Sequence, residues 1–253
     1  MWVLHSLVHC VQNTPTSYIH TLKHASAHQF LACVANRNPG QQQFLQVVTE
    51  VMENLCSFVA VHPEYAAHGL LQCLIEPERV VMVRVSWVDD RGDVQVNRGY
   101  RIQHSMATGP FKGGICFQPS VNLSVLKFLT FEQTFKNALT TLPMGGDQGG
   151  ADFDSKGKGK GKGKGKGKGK GKGNGEVMRF CQAFASELFR HVGADTDVPA
   201  GDIDVGGPEV GYTAGMTKRL TSRADCVFTS KSISFGGSLS KPEATGCGTE
   251  YFA

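Results

Sequence analysis

The chain has 253 residues, 40% hydrophobic and 19% charged, so it can bury a sizeable core and wholesale disorder is excluded. Its formal charge of +4 misleads, because nine Lys alternate with Gly between Lys156 and Gly173. Of the 26 basic residues, setting those nine aside leaves 17 against 22 acidic ones, which excludes a domain-wide nucleic-acid footprint.

Residues 1–28 carry five of the nine His and read as a divergent extension. They lack a basic segment followed by an apolar one, so no secretory signal is expected. No run of 18 apolar residues occurs, and no membrane span is expected. The eight Cys stand singly, with no CxxC pair, so neither a zinc knuckle nor another metal site is expected. They read as reduced thiols of a cytoplasmic protein.

In chain order, helical spacing of apolar residues predicts a helix over 41–58 and a short one over 70–75, with a break at Pro63 between them. Val80–Val88 and Val94–Gln103 alternate as strands around the turn Asp89-Asp90-Arg91-Gly92, giving a β-hairpin. A glycine-rich loop at 109–114 leads into a helix over 120–142, with Ser120 or Asn122 as cap and Pro143 after its end. A second loop spans 144–150. The Lys-Gly tract 156–173 cannot supply a packed core and reads as a solvated, disordered insertion. A helix follows over 176–192, and Pro208-Glu209 opens another. The tail from Phe228 is rich in Gly and Ser and receives no element. The fold class this predicts is α/β, with helices on a mixed, mostly parallel sheet after an early hairpin, in one domain over 29–253.

Three glycine-rich loops, 109–114, 144–150 and 199–207, let a ligand approach the backbone. Lys112 and Asp202 lie in two of them, and Lys136 lies on the intervening apolar helix, where a half-buried cation calls for an anion. Each has an ordinary alternative. Lys136 is four residues after Glu132, at helix-pair spacing. Lys112 fits an exposed loop, and Asp202 fits a turn or cap.

Longer runs carry a resemblance. They include Glu76-Pro-Glu-Arg-Val80, Ser86-Trp-Val-Asp-Asp90, Pro119-Ser-Val-Asn-Leu-Ser124, Phe131-Glu-Gln-Thr-Phe-Lys-Asn-Ala-Leu-Thr-Thr-Leu-Pro-Met-Gly-Gly146, Glu176-Val-Met-Arg-Phe-Cys-Gln-Ala183, Gly193-Ala-Asp-Thr-Asp-Val-Pro-Ala-Gly-Asp202 and Pro242-Glu-Ala-Thr-Gly246. From about Phe30 to Phe252 the chain resembles the N-terminal, substrate-binding and dimerisation part of the hexameric NADP-linked glutamate dehydrogenases, in the Glu/Leu/Phe/Val dehydrogenase family. The resemblance implies reductive amination of 2-oxoglutarate to L-glutamate with ammonium and NADPH. It implies that Lys112 meets the distal substrate carboxylate and Lys136 the α-carboxylate, with Gln133 on the same helix. It further implies that Asp202 shuttles a proton to the substrate nitrogen and that Thr245 lies near the nicotinamide.

The chain also departs from the family. The family loop Met-Gly-Gly-x-Lys-Gly-Gly here reads Met144-Gly-Gly-Asp-Gln-Gly-Gly150, so Gln148 stands at the position of the catalytic Lys. An amide exchanges no proton at neutral pH, and losing a general acid–base group costs about 10²–10⁴ in rate. Asp147 is expected to add a negative charge beside the substrate. Cys116 and Pro208 stand where the family has Arg. No GxGxxG occurs, so the dinucleotide-binding Rossmann half is expected to be missing from a truncated chain. The expectation is a family member inactive alone. The alternatives are a non-catalytic partner that co-assembles with full-length subunits, or a homo-oligomer, and polyanion binding by the Lys-Gly tract.

Overall fold

The computed structural model describes residues 27–66, 69–156, 175–223, 227–239 and 241–252. The expected extension up to residue 26 and the Lys-Gly tract beyond Lys156 lie outside the described residues. Helices α1 (Ala27–Arg37), α2 (Gln42–Val61), α3 (Pro63–Ala66) and α4 (Leu70–Ile75) lead into strands β1 (Arg79–Val88), β2 (Val94–Ser105) and β3 (Phe111–Phe117). Then come α5 (Leu123–Leu139), β4 (Gly145–Ala151), α6 (Gly175–Leu188), β5 (Asp197–Gly201), α7 (Gly207–Thr221) and α8 (Lys241–Phe252). The strands form one sheet in the order β1-β2-β4-β3-β5.

The sheet is mixed. The Glu78 N–H donates to the His104 carbonyl and the Asp89 N–H to the Asp93 carbonyl, so β1 and β2 are an antiparallel hairpin. The Gly145 N–H donates to Pro110 O and the Gln118 N–H to Ala151 O, so β4 runs parallel to β3. The helix α5 starts at Asn122, whose side chain accepts from the Val125 N–H at 3.0 Å, which decides between the two cap candidates. Glu209 reaches back to the Gly206 N–H at 2.9 Å and closes the start of α7.

Two expected glycine-rich loops are strands instead. Gly145–Ala151 is β4, buried along its whole length, and Phe111–Phe117 is β3. Glycine is depleted in strands because it packs no side chain, and that rule misleads wherever a neighbouring layer presses on the backbone. At Gly146 a Cβ would fall 1.9 Å from Thr134 Oγ1 on α5. The tail holds a further helix, α8, where none was assigned.

The chain divides into two compact units. The first comprises the chain up to Val80, Ile102–Lys112 and Asn122–Gln148. Its apolar core joins Phe30 and Val34 of α1, Phe44, Val48 and Met52 of α2, Leu70 and Leu74 of α4 and Phe131 of α5. By length and composition alone, α2 is apolar enough to cross a membrane. One face of it buries Phe44, Val47, Val48, Met52 and Val59, as a core helix does.

The second unit comprises Val81–Arg101, Gly113–Val121 and Gly149–Ala253. Its core gathers Val85 and Trp87 of β1, Ile115 and Phe117 of β3, Phe153, and Phe180, Cys181 and Phe184 of α6. Arg179 donates to Val88 O and to Asp90, and Glu176 accepts from the Asp90 N–H, so α6 clasps the hairpin turn.

Candidate functional site

In the first unit, the C-terminal end of α5 is tied to two strands by one side chain. Asn137 Nδ2 donates to Lys112 O on β3 at 2.9 Å and to Gly145 O on β4 at 2.6 Å. Its Oδ1 accepts from Gln133 Nε2 at 2.7 Å. A buried amide that satisfies two carbonyls and one donor fixes the local geometry, because each bond is costly to leave unmade. Lys112 and Gln133 therefore border one seam, and Lys136 precedes Asn137 on α5. Lys112 and Gln133 are half-buried and Lys136 is exposed.

The buried cation of α5 is Lys127, not Lys136 as the apolar surroundings suggested. Lys127 Nζ lies 2.5 Å from Asn38 Oδ1 and 4.1 Å from the centroid of the Phe44 ring. Burial holds its pKa below the ordinary Lys value. Behind the seam, His104 Nε2 lies 2.7 Å from Leu74 O, and burial pushes its imidazole down to about 4.

Gln148 is buried in β4. The parallel β4–β3 register sets Gly146 beside Lys112, so Gln148 shares a sheet face with Lys112. Strand alternation sends Asp147 to the opposite face. Asp147 is itself 0% exposed.

In the second unit, Asp202 follows β5 and is exposed. Its Oδ1 accepts from the Ile203 N–H at 2.9 Å. Its carboxylate rests on Gly114, where a Cβ would lie 2.4 Å from Oδ2. Pro208 occupies the first turn of α7, and Cys116 is buried in β3. Thr245 is exposed on α8, where its carbonyl accepts from Thr249 Oγ1. Among the described residues no group of His, Cys, Asp and Glu could hold a metal ion, and Cys33, Cys56, Cys73, Cys116, Cys181 and Cys247 are free thiols. Burial pushes the Cys181 thiol up to about 12.

Residues 77–219 match the family model described as Glu/Leu/Phe/Val dehydrogenase, dimerisation domain. The chain belongs to that family. It is 59% identical over 227 residues to the NADP-specific glutamate dehydrogenase of Escherichia coli (strain K12), a match that covers 90% of this chain and 48% of that protein. A solved glutamate dehydrogenase superposes with a TM-score of 0.81 at 49% identity, covering 89% of this chain and 47% of that one. Plasmodium falciparum glutamate dehydrogenase 2 gives 0.80 at 44%, covering 94% and 48%. The chain spans about half the length of the relatives it matches.

Two residues of these arrangements escaped the sequence reading, Asn137 and Lys127. Asn137 and Lys127 both lie on α5. A helix whose apolar residues wrap most of its circumference hides the stripe Lys127-Thr130-Thr134-Asn137, spaced three or four apart and facing inward.

Proposed function

We propose that this chain is a glutamate dehydrogenase family member that binds 2-oxoglutarate or L-glutamate and does not turn it over alone. The observation that carries the reading is Asn137, whose bonds to Lys112 O and Gly145 O bring the two Lys-bearing segments to one seam. A dicarboxylate wants two fixed cations. Lys112 is assigned the distal carboxylate and Lys136 the α-carboxylate, with Gln133 beside it. Asp202 is assigned the proton transfer at the substrate nitrogen. Gln148, at the position of the family's catalytic Lys, has no proton to exchange.

The matched relatives include NADP-specific enzymes. The described residues do not fit a dinucleotide. No GxGxxG occurs, and the glycine-rich run 145–150 is a buried strand interior and no helix-opening cradle. No step is therefore routed through NADP. Thr245 is proposed as a neighbour of the nicotinamide only where a further domain supplies the cofactor. The free thiols among the described residues support a cytoplasmic location.

Calorimetry with millimolar 2-oxoglutarate tests the binding. One weak site that vanishes in Lys112→Ala is expected. No heat, or the same heat in Lys112→Ala, rejects the reading.

A second reading is assembly with complete subunits. The matched domain is described as a dimerisation domain, and the hairpin leaves Met82, Val94 and Val96 more than 60% exposed on one face. Co-expression with a full-length relative is expected to yield a joint complex. A monomer that never co-purifies rules this reading out.

A further inference from the structure

Five residues of the second unit form a connected arrangement that substrate binding by the two Lys leaves unused. Arg101 of β2 is fully buried. Its Nε donates to Asp197 Oδ2 at 3.0 Å and its Nη2 to Asp197 Oδ1, while Nη1 donates to Gly114 O at 3.0 Å. One guanidinium thus grips the first residue of β5 and the middle of β3. The side chain passes over Gly149, where a Cβ would stand 3.0 Å from Arg101 Cδ and 3.1 Å from Nη1. At its other end β5 delivers Asp202, whose Cβ would lie 2.6 Å from a Cβ on Gly114. The Gly114 peptide is therefore held through its carbonyl by Arg101 and covered by the Asp202 carboxylate.

A buried ion pair is weak evidence for stability, since apolar replacements are often as stable. What a forked, planar cation supplies better is geometry. We propose that Arg101 is a positioning residue. Passing through the space left by Gly149, it fixes β5 on β3 and so sets the Asp202 carboxylate over Gly114. Its consequence for the ligand rests on the reading of Asp202 as the group that faces the substrate nitrogen.

The test follows the Gly114 amide resonance of the full, ¹⁵N-labelled chain. Asp202→Asn is expected to move it by a clear step, because the carboxylate lies against Gly114. When made in Arg101→Lys, which keeps the charge and loses the fork, or in Gly149→Ala, which displaces the guanidinium, the same substitution is expected to give half that step or less. If Arg101→Lys does not fold, Gly149→Ala decides, because it leaves Arg101 in place. A parent with no Asp202-dependent step overturns the proposal. So does a lower melting temperature with a full-sized step in the folded variants, the pattern of a purely structural pair. A separate arm compares L-glutamate with glutarate, which lacks the ammonium. Arg101→Lys is expected to cut the preference for glutamate roughly tenfold, the size of one charge-assisted hydrogen bond. A preference that persists undiminished in Arg101→Lys also overturns the proposal. Should the parent bind neither ligand, the substrate reading fails while the Gly114 step still decides this one.

Discussion

In the second unit, Phe153 and Phe180 stack with centroids 3.8 Å apart, and Phe117 meets Phe153, Phe180 and Phe184 edge-on at 5.0 to 6.0 Å. In the first unit, α5 turns Lys127, Thr130, Thr134 and Asn137 inward among Leu126 and Phe131. The difference separates two jobs. Aromatic burial is large and weakly directional, so it stabilises a fold without placing any particular atom. A polar seam contributes less net stability, but each of its bonds fixes a distance. Of the two Lys assigned to the substrate, Lys112 is tied to the polar seam through its carbonyl, and Lys136 precedes Asn137 on α5. The Asp202 carboxylate depends on the other polar arrangement, around Arg101.

The comparison breaks most easily at its apolar pole. Phe180→Ala removes a ring that meets Trp87, Phe117, Phe153 and Phe184. It is expected to cost about 4 kcal/mol in urea unfolding. A loss below about 1 kcal/mol, no more than an ordinary surface change, would mean that the cluster is not what holds this unit. Asn137→Ala comes next. It leaves Lys112 O and Gly145 O without this donor and is expected to cost about 3 kcal/mol. It should also abolish the 2-oxoglutarate heat, whereas Phe180→Ala, measured well below its melting temperature, should leave that heat in place. Equal effects of both variants on binding would erase the distinction between the two regions.

How much of this was legible in the sequence follows the same division. The hairpin, α2, α4 and the stripe of α6 were readable because apolar period and turn chemistry report burial directly. β3 and β4 were misread as loops. Their glycines are there because Thr134, Cys116 and Arg101 press on the backbone, and close approach between layers leaves no local periodicity. Lys112 and Asp202 could be singled out beside their glycines, and the long matching runs gave them roles. Asn137 and Arg101 could not, since what matters in each is a bond to a strand distant in sequence. Gln148 was legible as a departure from a motif, but the opposite facing of Asp147 required the strand.

The polar region has its own signature with pH. His104 is buried, its Nδ1 has no hydrogen-bond partner among the described residues, and it packs edge-on against Phe131. Desolvation, with a smaller push from the nearby Lys127, lowers its pKa from 6.5 to about 4. The unfolded chain then binds the proton first as pH falls. Stability from this group is full above about pH 6.5 and drains as pH falls toward 4, by about 2–3 kcal/mol at pH 4.5. His104→Gln keeps a donor for Leu74 O and does not titrate. Urea midpoints of parent and variant should therefore converge or cross between pH 7 and pH 4.5. Parallel curves would show that His104 is not a buried neutral group.

The smallest effect has the opposite sign, and it tests whether glycine in this chain reflects packing or only composition. Gly215 lies in the interior of α7 on its exposed side, with nothing within 4 Å of a Cβ. Gly215→Ala adds no contact. It removes backbone freedom from the unfolded chain and should raise stability by about 0.5–1 kcal/mol. The same substitution at Gly146 drives a methyl into Thr134 and should destabilise. A melting temperature that rises for Gly215→Ala and falls for Gly146→Ala assigns the glycines of β4 to layer contact. If both fall, the open surroundings of Gly215 do not hold in solution, and layer contact no longer sets the glycines of β4 apart.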